Sequence, residues 1–416
     1  MWYNKCQLKL IQKATAKKPA RGGRKNIKIL PGKEKEFFMR KKNIKVLSLF
    51  LALVFLASSL LWLSGCADDG DAIVIGVIAP KSGSEAAYGT DMINSYKLAV
   101  EEINAAGGVL GKKLKLYEAD DGADPTMAAS AASKIVSNGV DFVVGGYASG
   151  AVTPILQQFY DENLLFLITA ANSTNITKAG FDQSFMINSP GSFAVVTLAG
   201  LLNSLGSKKV ALIHQGDDYT KNLADMCAEE LPKSGYEIVA VELMTKGEPD
   251  VSAIVTSIRN SGADFVYWCG YHDDGSNVIK QLRRGGYEGV ICVGDGSADP
   301  QLIEACGEDG EGVYVTSPPY VKLAGDSGKK FFDDYSAKYK KEPGNYATLA
   351  YDTIYLLKAA IEKANSFETA AVRDAVADIE FKGLSSTITF TPDREMATSN
   401  FMVLQIQNGD FVLVNP

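Results

Sequence analysis

The sequence predicts an α/β fold of two similar Rossmann-like lobes, each built on a parallel sheet and joined to the other by hinge crossovers. From residue 72 onwards, short apolar runs alternate with segments of helical length and period, the pattern of parallel sheets covered by helices on both faces. These roughly 350 residues exceed what one such sheet commonly organises, so two lobes are expected. The predicted strands lie in AIVIGVIA, KLKLYEA, DFVVGG, LLFLIT, KVALIH, YEIVAVEL, DFVYWCG, GVICVG and GVYVT.

An internal echo supports a duplicated lobe. The stretch SNGVDFVVGGYAS at residues 137–149 is matched by NSGADFVYWCGYHD at residues 260–273. In both, a helix-ending glycine leads into Asp-Phe-Val at the start of a strand, and Gly-Tyr follows the strand. The separation is too long for a solenoid repeat and suits a duplicated α/β lobe. Because open parallel sheets bind ligands beyond the carboxyl ends of their strands, Tyr147 and Ser149 should face Tyr271 across a cleft.

Proline-punctuated segments mark the crossovers between the lobes, one around Pro190 and one at Pro318 and Pro319. The strongly helical segment that follows the second crossover should return to the first lobe. The tail should form strands around an Asn-Gly-Asp turn and pack on the second lobe. The predicted first lobe therefore comprises residues 72–189 and 319–384, and the predicted second lobe comprises residues 190–318 and 385–416.

The N-terminal residues differ in composition from the rest. Residues 1–65 hold 15 Lys and Arg against 2 Asp and Glu, although the whole chain has a net charge of −7. A basic patch that begins at Met39 precedes a long apolar run ending in Leu-Ser-Gly-Cys, and this layout is typical of a secretory signal. We interpret residues 1–38 as an upstream extension outside the native protein, although their translation stays open.

The end of the apolar run resembles a bacterial lipoprotein signal. That resemblance implies that residues 39–65 are removed, that Cys66 carries lipid, and that residues 66–71 form a short tether. A plain transmembrane anchor is the alternative, because the run is near the length that spans a bilayer. The expected location is extracytoplasmic, with the protein lipid-anchored to the cell membrane on its periplasmic or outer side.

Composition and cysteine spacing exclude several classes of function. The part after the signal is acidic and has no strongly basic face, which argues against nucleic-acid binding. Its cysteines show neither C-x-x-C nor zinc-ligand spacing, so we expect no metal and no cofactor. Buried thiols are favoured, while a Cys292–Cys306 disulfide stays open. These cysteines are Cys227, Cys269, Cys292 and Cys306.

The glycine-rich turn GGYASG at residues 145–150 does not fit the catalytic or nucleotide-binding motifs. Tyr147 occupies the place of the second glycine in a dinucleotide fingerprint, and Ser149 is one position away from a hydrolase elbow. The two histidines, His214 and His272, give no support to a serine triad. A small anion held by Ser149 at a helix N-terminus is the hypothesis that remains, and a cap that serves only its own helix is its alternative.

The assembled motifs resemble the Leu/Ile/Val-binding family of periplasmic solute-binding proteins that feed ABC importers. The resemblance covers residues 72–416 and implies a type I periplasmic binding fold that binds a branched-chain-like amino acid between its lobes. It also implies delivery of the ligand to an ABC permease by a monomer without catalytic activity. The motifs that carry it are IGVIAPKSGSEAAYG, INAAGGVLGKKLKLYEADDGADP, VVGGYASGAVTP, LITAANST, DDYTKNLA, DFVYWCGYHDDG and EPGNYATLAYD.

The family's contacts can be placed on this sequence position by position. The resemblance implies that the contacts to the ligand's carboxylate and ammonium are made by residues of both lobes, and that Asp295 neutralises the ammonium. The side-chain pocket would be lined by Tyr88, Tyr147 and Tyr346. The implied carboxylate and ammonium contacts are Ser149, Ala170, Asn172, Tyr219, Tyr271 and Asp295.

Several positions depart from the family pattern. Asn172 stands where threonine is common, Asp295 where the branched-chain binders have glutamate, and Tyr147 where they have an aliphatic residue. Ala123 and Ala148 occupy the places of a small disulfide found in some relatives. These departures bear on the identity of the ligand's side chain. The alternative functions are the sensing domain of a receptor and a hydrolase on a similar fold. The absence of a signalling domain after the predicted second lobe argues against the receptor.

Overall fold

The computed structural model describes residues 72–414 except residues 324, 385 and 400. The predicted signal and the lipidation site at Cys66 lie outside the described residues. The described part forms two large sheets with helices packed on their faces and a third sheet of two short strands, which confirms the predicted α/β fold. No helix in this part of the chain combines the length and apolar character needed to span a bilayer.

The first sheet has five parallel strands in the order β2-β1-β3-β4-β5. Strands β3 and β4 are buried along their whole length, as their uninterrupted apolar sequences predict. The strands are β1 Ile73–Ala79, β2 Leu114–Asp120, β3 Phe142–Gly145, β4 Phe166–Ile168 and β5 Ser184–Met186. The intervening helices are α1 Ala86–Ala105, α2 Pro125–Ser137, α3 Ser149–Val152, α4 Leu156–Asp161 and α5 Thr174–Lys178.

The second sheet repeats this arrangement with the parallel strands in the order β7-β6-β8-β9-β10. Strands β3 and β8 occupy the same position in their sheets, as the echo between their sequences predicts. The strands are β6 Lys209–His214, β7 Glu237–Leu243, β8 Phe265–Cys269, β9 Val290–Val293 and β10 Tyr314–Ser317. The helices are α6 Gly191–Leu205, α7 Asp218–Lys233, α8 Ser252–Ser261, α9 His272–Arg284 and α10 Pro300–Cys306.

Three helices follow the second crossover: α11 Gly325–Tyr339, α12 Ala347–Ala364 and α13 Thr369–Ala377. Helix α12 packs against α1 of the first lobe and against α13. Strands β11 Phe381–Lys382 and β12 Thr387–Ile388 then form a small antiparallel pair.

The segment after β12 stays with the first lobe. The backbone N–H of Met186 in β5 donates to the carbonyl oxygen of Arg394 at 3.0 Å. The rings of Phe185 and Phe390 are 5.1 Å apart, edge to face. The contacts therefore place the change of lobe after this segment and not at residue 385, because the apolar ring of Phe390 packs on Phe185 in the first sheet.

The chain ends in the antiparallel hairpin of β13 Met402–Gln407 and β14 Asp410–Val414, which extends the second sheet beside β10. Asn408 and Gly409 connect the strands with φ angles of 53° and 78°. Both angles are positive, as the Asn-Gly signal predicts for a two-residue hairpin turn. The four described cysteines are buried and free, so the Cys292–Cys306 disulfide that the sequence left open is not formed.

Candidate ligand-binding site

The predicted site residues follow the carboxyl ends of strands in both sheets. In each sheet the strand order changes direction next to the first strand of its lobe, between β1 and β3 and between β6 and β8. Open parallel sheets bind ligands at such points, because diverging connections leave a crevice there. Tyr88 follows β1, Tyr147 and Ser149 follow β3, Ala170 and Asn172 follow β4, Tyr219 follows β6, Tyr271 follows β8, Asp295 follows β9, and Tyr346 precedes α12.

A small cavity of about 210 Å³ lies between the lobes at this point. Eight of the nine predicted residues line it together with Gly296, and Tyr88 lies behind Tyr147. A larger open depression of about 750 Å³ lies against α7, but charged surface side chains line it. The small cavity is lined by Tyr147, Ser149, Ala170, Asn172, Tyr219, Tyr271, Asp295, Gly296 and Tyr346.

The glycine pair after β3 sets the position of Tyr147 and Ser149. Gly145 has a φ of 121°, and a Cβ there would lie 2.0 Å from the carbonyl oxygen of Ile78. Gly146 has a φ of 77°, in the left-handed region that favours glycine. The turn therefore has to be made of glycine, and it brings the following residues to the mouth of the crevice.

Ser149 is the first residue of α3 and not its N-cap, which corrects the prediction by one position. Ala148 is the N-cap, with extended backbone angles, and no side chain caps the helix. The Ser149 Oγ instead accepts a hydrogen bond from the backbone N–H of Ser173 at 3.2 Å. Its own hydroxyl proton is not used in capping, so Ser149 can donate to a group in the cavity.

Asp295 is a buried carboxylate held by three neutral donors. Its Oδ1 accepts from the Tyr219 hydroxyl at 2.8 Å, and its Oδ2 accepts from Asn172 Nδ2 at 2.9 Å and from the Tyr346 hydroxyl at 3.1 Å. It is 1% exposed, and burial raises its pKa while these hydrogen bonds oppose the shift. Among the described residues it forms no ion pair, so the site contains a buried carboxylate without a cation.

Tyrosine rings fill the rest of the space between the lobes. Tyr88 and Tyr147 stack with centroids 4.9 Å apart, and Tyr346 lies 5.7 Å from both. Tyr271 of the second lobe approaches Tyr147 at 6.1 Å and Tyr219 at 5.5 Å. We call Tyr88, Tyr147, Tyr271 and Tyr346 the tyrosine cluster. Aromatic faces and hydroxyls together suit a ligand with both apolar and polar parts.

Two residues beside the tyrosine cluster were not predicted. Glu85 is 1% exposed and accepts hydrogen bonds from the Tyr147 hydroxyl at 3.0 Å and the Ser84 hydroxyl at 2.9 Å. His272 of the second lobe is also buried, and its Nδ1 lies 3.9 Å from Glu85 Oε2. Burial raises the pKa of Glu85, and the charges of His272 and Lys246 oppose the shift.

A signal for Glu85 was present in the sequence. This glutamate stands among small residues directly before the buried start of α1, in GSEAAYG. Its partner could not be predicted, because His272 comes from the other lobe.

Hydrogen bonds between helices of the two lobes surround the site. Asp218 at the start of α7 accepts from Thr153 Oγ1 at 2.6 Å, from Ser173 Oγ at 3.2 Å and from Asn175 Nδ2 at 2.6 Å. All three donors belong to the first lobe. The structure therefore has the lobes in direct contact around the cavity.

The geometry gives no support to catalysis by Ser149 or to a metal centre. His272 Nε2 lies 3.1 Å from Asp273, and its ring packs edge to face on Tyr88. The described side-chain hydrogen bond of Ser149 involves Ser173, and neither histidine is its partner. Within the described part of the chain, no group of three or more His, Cys, Asp or Glu residues is arranged to hold a metal ion.

Comparisons with known proteins place this geometry in context. Residues 72–410 match the family model described as periplasmic binding protein. The Leu/Ile/Val-binding protein homolog 3 of Brucella melitensis is 31% identical over 344 residues, which cover 82% of this chain and 93% of that protein. The Leu/Ile/Val-binding protein of Escherichia coli K12 is 29% identical over 324 residues, which cover 78% and 86%.

Solved structures show the same architecture. The leucine-binding protein LivK of Thermotoga maritima superimposes with a TM-score of 0.77 and 27% identity, over 82% of this chain and 98% of that one. The branched-chain amino acid transporter substrate-binding protein LivJ of Streptococcus pneumoniae, solved in complex with isoleucine, gives a TM-score of 0.75 and 28% identity. That match covers 83% of this chain and the whole of the other.

Proposed function

The chain belongs to the periplasmic binding protein family, and we propose that it is the substrate-binding component of an ABC importer for an amino acid. The family match extends over nearly all of the described residues. The neighbours of known structure share the two-lobed α/β architecture, the type I periplasmic binding fold expected from the sequence. The names of the relatives describe proteins that bind solutes, which supports a binding function without catalysis.

The observation that carries the proposal is the carboxylate of Asp295. It is buried beside the cavity between the lobes, three neutral groups donate to it, and no described side chain forms an ion pair with it. An unpaired buried charge is costly, so such a carboxylate calls for a cation that is supplied from outside the chain. The α-ammonium of an amino acid is a cation of suitable size.

The opposite wall of the cavity suits the α-carboxylate. Ser149 can donate its hydroxyl proton, and the backbone N–H groups of Ser149 and Gly150 precede the first hydrogen bonds of its helix. Asn172 reaches from the first lobe to Asp295 of the second and so links the two walls. We therefore assign the carboxylate to Ser149 and neighbouring backbone groups, and the ammonium to Asp295 with the carbonyl of Ala170 nearby.

Binding would stabilise the closed arrangement of the lobes, since the ligand touches both walls at once. The closed form would then dock as a monomer on the permease subunits of the importer. We place the protein outside the cytoplasmic membrane and anchored to it through lipid on Cys66, with no cofactor.

A ligand screen by thermal unfolding tests the proposal. A ligand present at 100 times its Kd should stabilise the protein by about 2.7 kcal/mol. The panel should contain the common amino acids, together with amides and short peptides. At least one free α-amino acid is expected to raise the midpoint of unfolding, and the same compound without its ammonium group is expected to have no effect. A response limited to compounds without an ammonium would contradict the proposal.

A further inference from the structure

The side-chain end of the cavity leaves little room. The cavity is lined at this end by the rings of Tyr147, Tyr271 and Tyr346. The tyrosine cluster already closes this end, because Tyr88 and Tyr147 stack and Tyr346 packs on both. A short side chain fits this space better than a branched aliphatic one.

The polar groups at this end have only acceptor atoms left for a ligand, because their protons are already donated within the protein. The hydroxyl of Tyr147 donates to Glu85, that of Tyr346 donates to Asp295, and that of Tyr88 donates to the carbonyl oxygen of Gly296 at 3.3 Å. Each hydroxyl has one proton, so only lone pairs remain for a ligand. The Glu85 carboxylate likewise accepts, and it forms no ion pair with lysine or arginine among the described residues.

The histidine that faces Glu85 across the lobes adds a buried polar atom without a partner. Nε2 of His272 lies 3.1 Å from the Asp273 carboxylate, so this nitrogen carries a proton and donates it to Asp273. Nδ1 is buried and has no hydrogen-bond partner in the described part of the chain. The 3.9 Å between Nδ1 and Glu85 Oε2 is too long for a hydrogen bond. Two buried polar groups therefore face each other without a hydrogen bond between them.

We infer that the ligand's side chain is short and carries a hydrogen-bond donor, a hydroxyl, amide or ammonium group, which binds between Glu85 and His272. This inference rests on the proposed amino-acid-binding function and specifies the class of amino acid. It predicts a preference that differs from the leucine, isoleucine and valine in the names of the relatives. Glu85 is then the residue that determines specificity, since it can accept from such a donor and a hydrocarbon chain would leave it unpaired.

Calorimetry with two sets of amino acids tests the inference. The polar set is serine, threonine, asparagine and 2,3-diaminopropionate, and the apolar set is alanine, valine, leucine and isoleucine. The best polar ligand is expected to bind the unmodified protein at least tenfold more tightly than valine, leucine or isoleucine. If one of these three binds more tightly than every polar ligand, the inference is overturned while the proposed function stands. If no α-amino acid binds, both fail.

Variants of Glu85 test whether this residue causes the preference for a polar side chain. Glu85→Leu is expected to weaken the polar ligand at least tenfold and to change the affinity for alanine less than threefold, because alanine does not reach the carboxylate. Glu85→Gln keeps the shape of the side chain and one acceptor, so its affinity for the polar ligand should lie between those of the unmodified protein and of Glu85→Leu. It replaces the leucine variant in the test if that variant does not fold. Glu101→Gln, an exposed carboxylate of α1, is the control. A polar-to-apolar preference that is unchanged in both Glu85 variants would overturn the assignment.

Discussion

Asp295→Asn removes one charge from the site while keeping the shape of the side chain. In the protein, Asp295 accepts from Tyr219, Tyr346 and Asn172 and is 1% exposed, so solvent cannot screen its interaction with a bound ammonium. Removing one partner of a buried, hydrogen-bonded charge pair costs about 2–5 kcal/mol, much of it because the other charge is left unpaired. This corresponds to a loss of affinity of about 30-fold to several-thousand-fold.

The substitution also has a local cost that must be separated from the charge. The new amide nitrogen has to replace an oxygen that now accepts from a neighbour. At Oδ1 the neighbour is the Tyr219 hydroxyl, which would have to turn its proton away and accept from the new amide. This hydroxyl already accepts from the backbone N–H of Gly296 at 3.0 Å. A lost neutral hydrogen bond is worth about 1 kcal/mol. Tyr219→Phe removes a donor to Asp295 and the acceptor of the Gly296 N–H without changing any charge, so its cost is an upper limit on this smaller effect.

Calorimetry on a thermodynamic cycle isolates the charge pair. One axis of the cycle is Asp295→Asn, and the other replaces the best amino acid by its 2-hydroxy acid, which has no ammonium. If Asp295 pairs with the ammonium, the substitution should cost far more with the amino acid than with the hydroxy acid. Equal losses for both compounds, or an affinity for the amino acid within threefold of the unmodified protein, would refute the assignment.

The remaining predictions concern the anchor, the closure of the lobes and a buried acid. Cys66→Ser should accumulate as an uncleaved precursor. The intact mass of the unmodified protein, extracted from the membrane, should show a lipidated chain without residues 1–65. A mature chain that keeps the apolar run and lacks lipid would contradict this. Small-angle scattering should show a smaller radius of gyration with ligand at an unchanged molecular mass. Asp218→Ala should lower affinity about 3- to 30-fold without touching the ligand, because it removes hydrogen bonds of the closed form, and Asp225→Ala on the same helix is the matched control. Burial raises the pKa of Asp352 from 3.8 to about 7, so the native state keeps a proton that the unfolded chain releases. Stability should therefore fall between pH 4 and 7 relative to Asp352→Asn, by up to about 4 kcal/mol in the unfolding free energy; parallel stability curves for the two proteins would show that the carboxyl titrates normally.

Much of the fold could be predicted because its signals are local. The alternation of apolar runs with helical segments depends on a period of a few residues. The Asn-Gly turn and the glycines after β3 reflect backbone angles that only certain residues adopt at low cost. The echo between β3 and β8 reports a duplication within the sequence itself. The resemblance of the motifs then placed eight residues that line one cavity.

Small errors in the prediction also have local causes. Ser149 was predicted to cap its helix, but the extended backbone of Ala148 makes that residue the cap. Serine is common at both positions, so composition alone does not distinguish them. The predicted boundary at residue 385 put the segment around Phe390 in the second lobe, while its packing partner is Phe185 of the first.

The two-lobed α/β architecture and most of the residues around the cleft could be predicted from the sequence alone. The burial of Asp295 among three neutral donors, the tyrosine rings at the side-chain end and the approach of Glu85 to His272 became known from the three-dimensional packing. This difference follows from the range of the interactions involved. Periodicity and turn chemistry act between neighbours in the chain, whereas burial and charge pairing depend on which side chains two separate lobes bring within a few ångströms of each other.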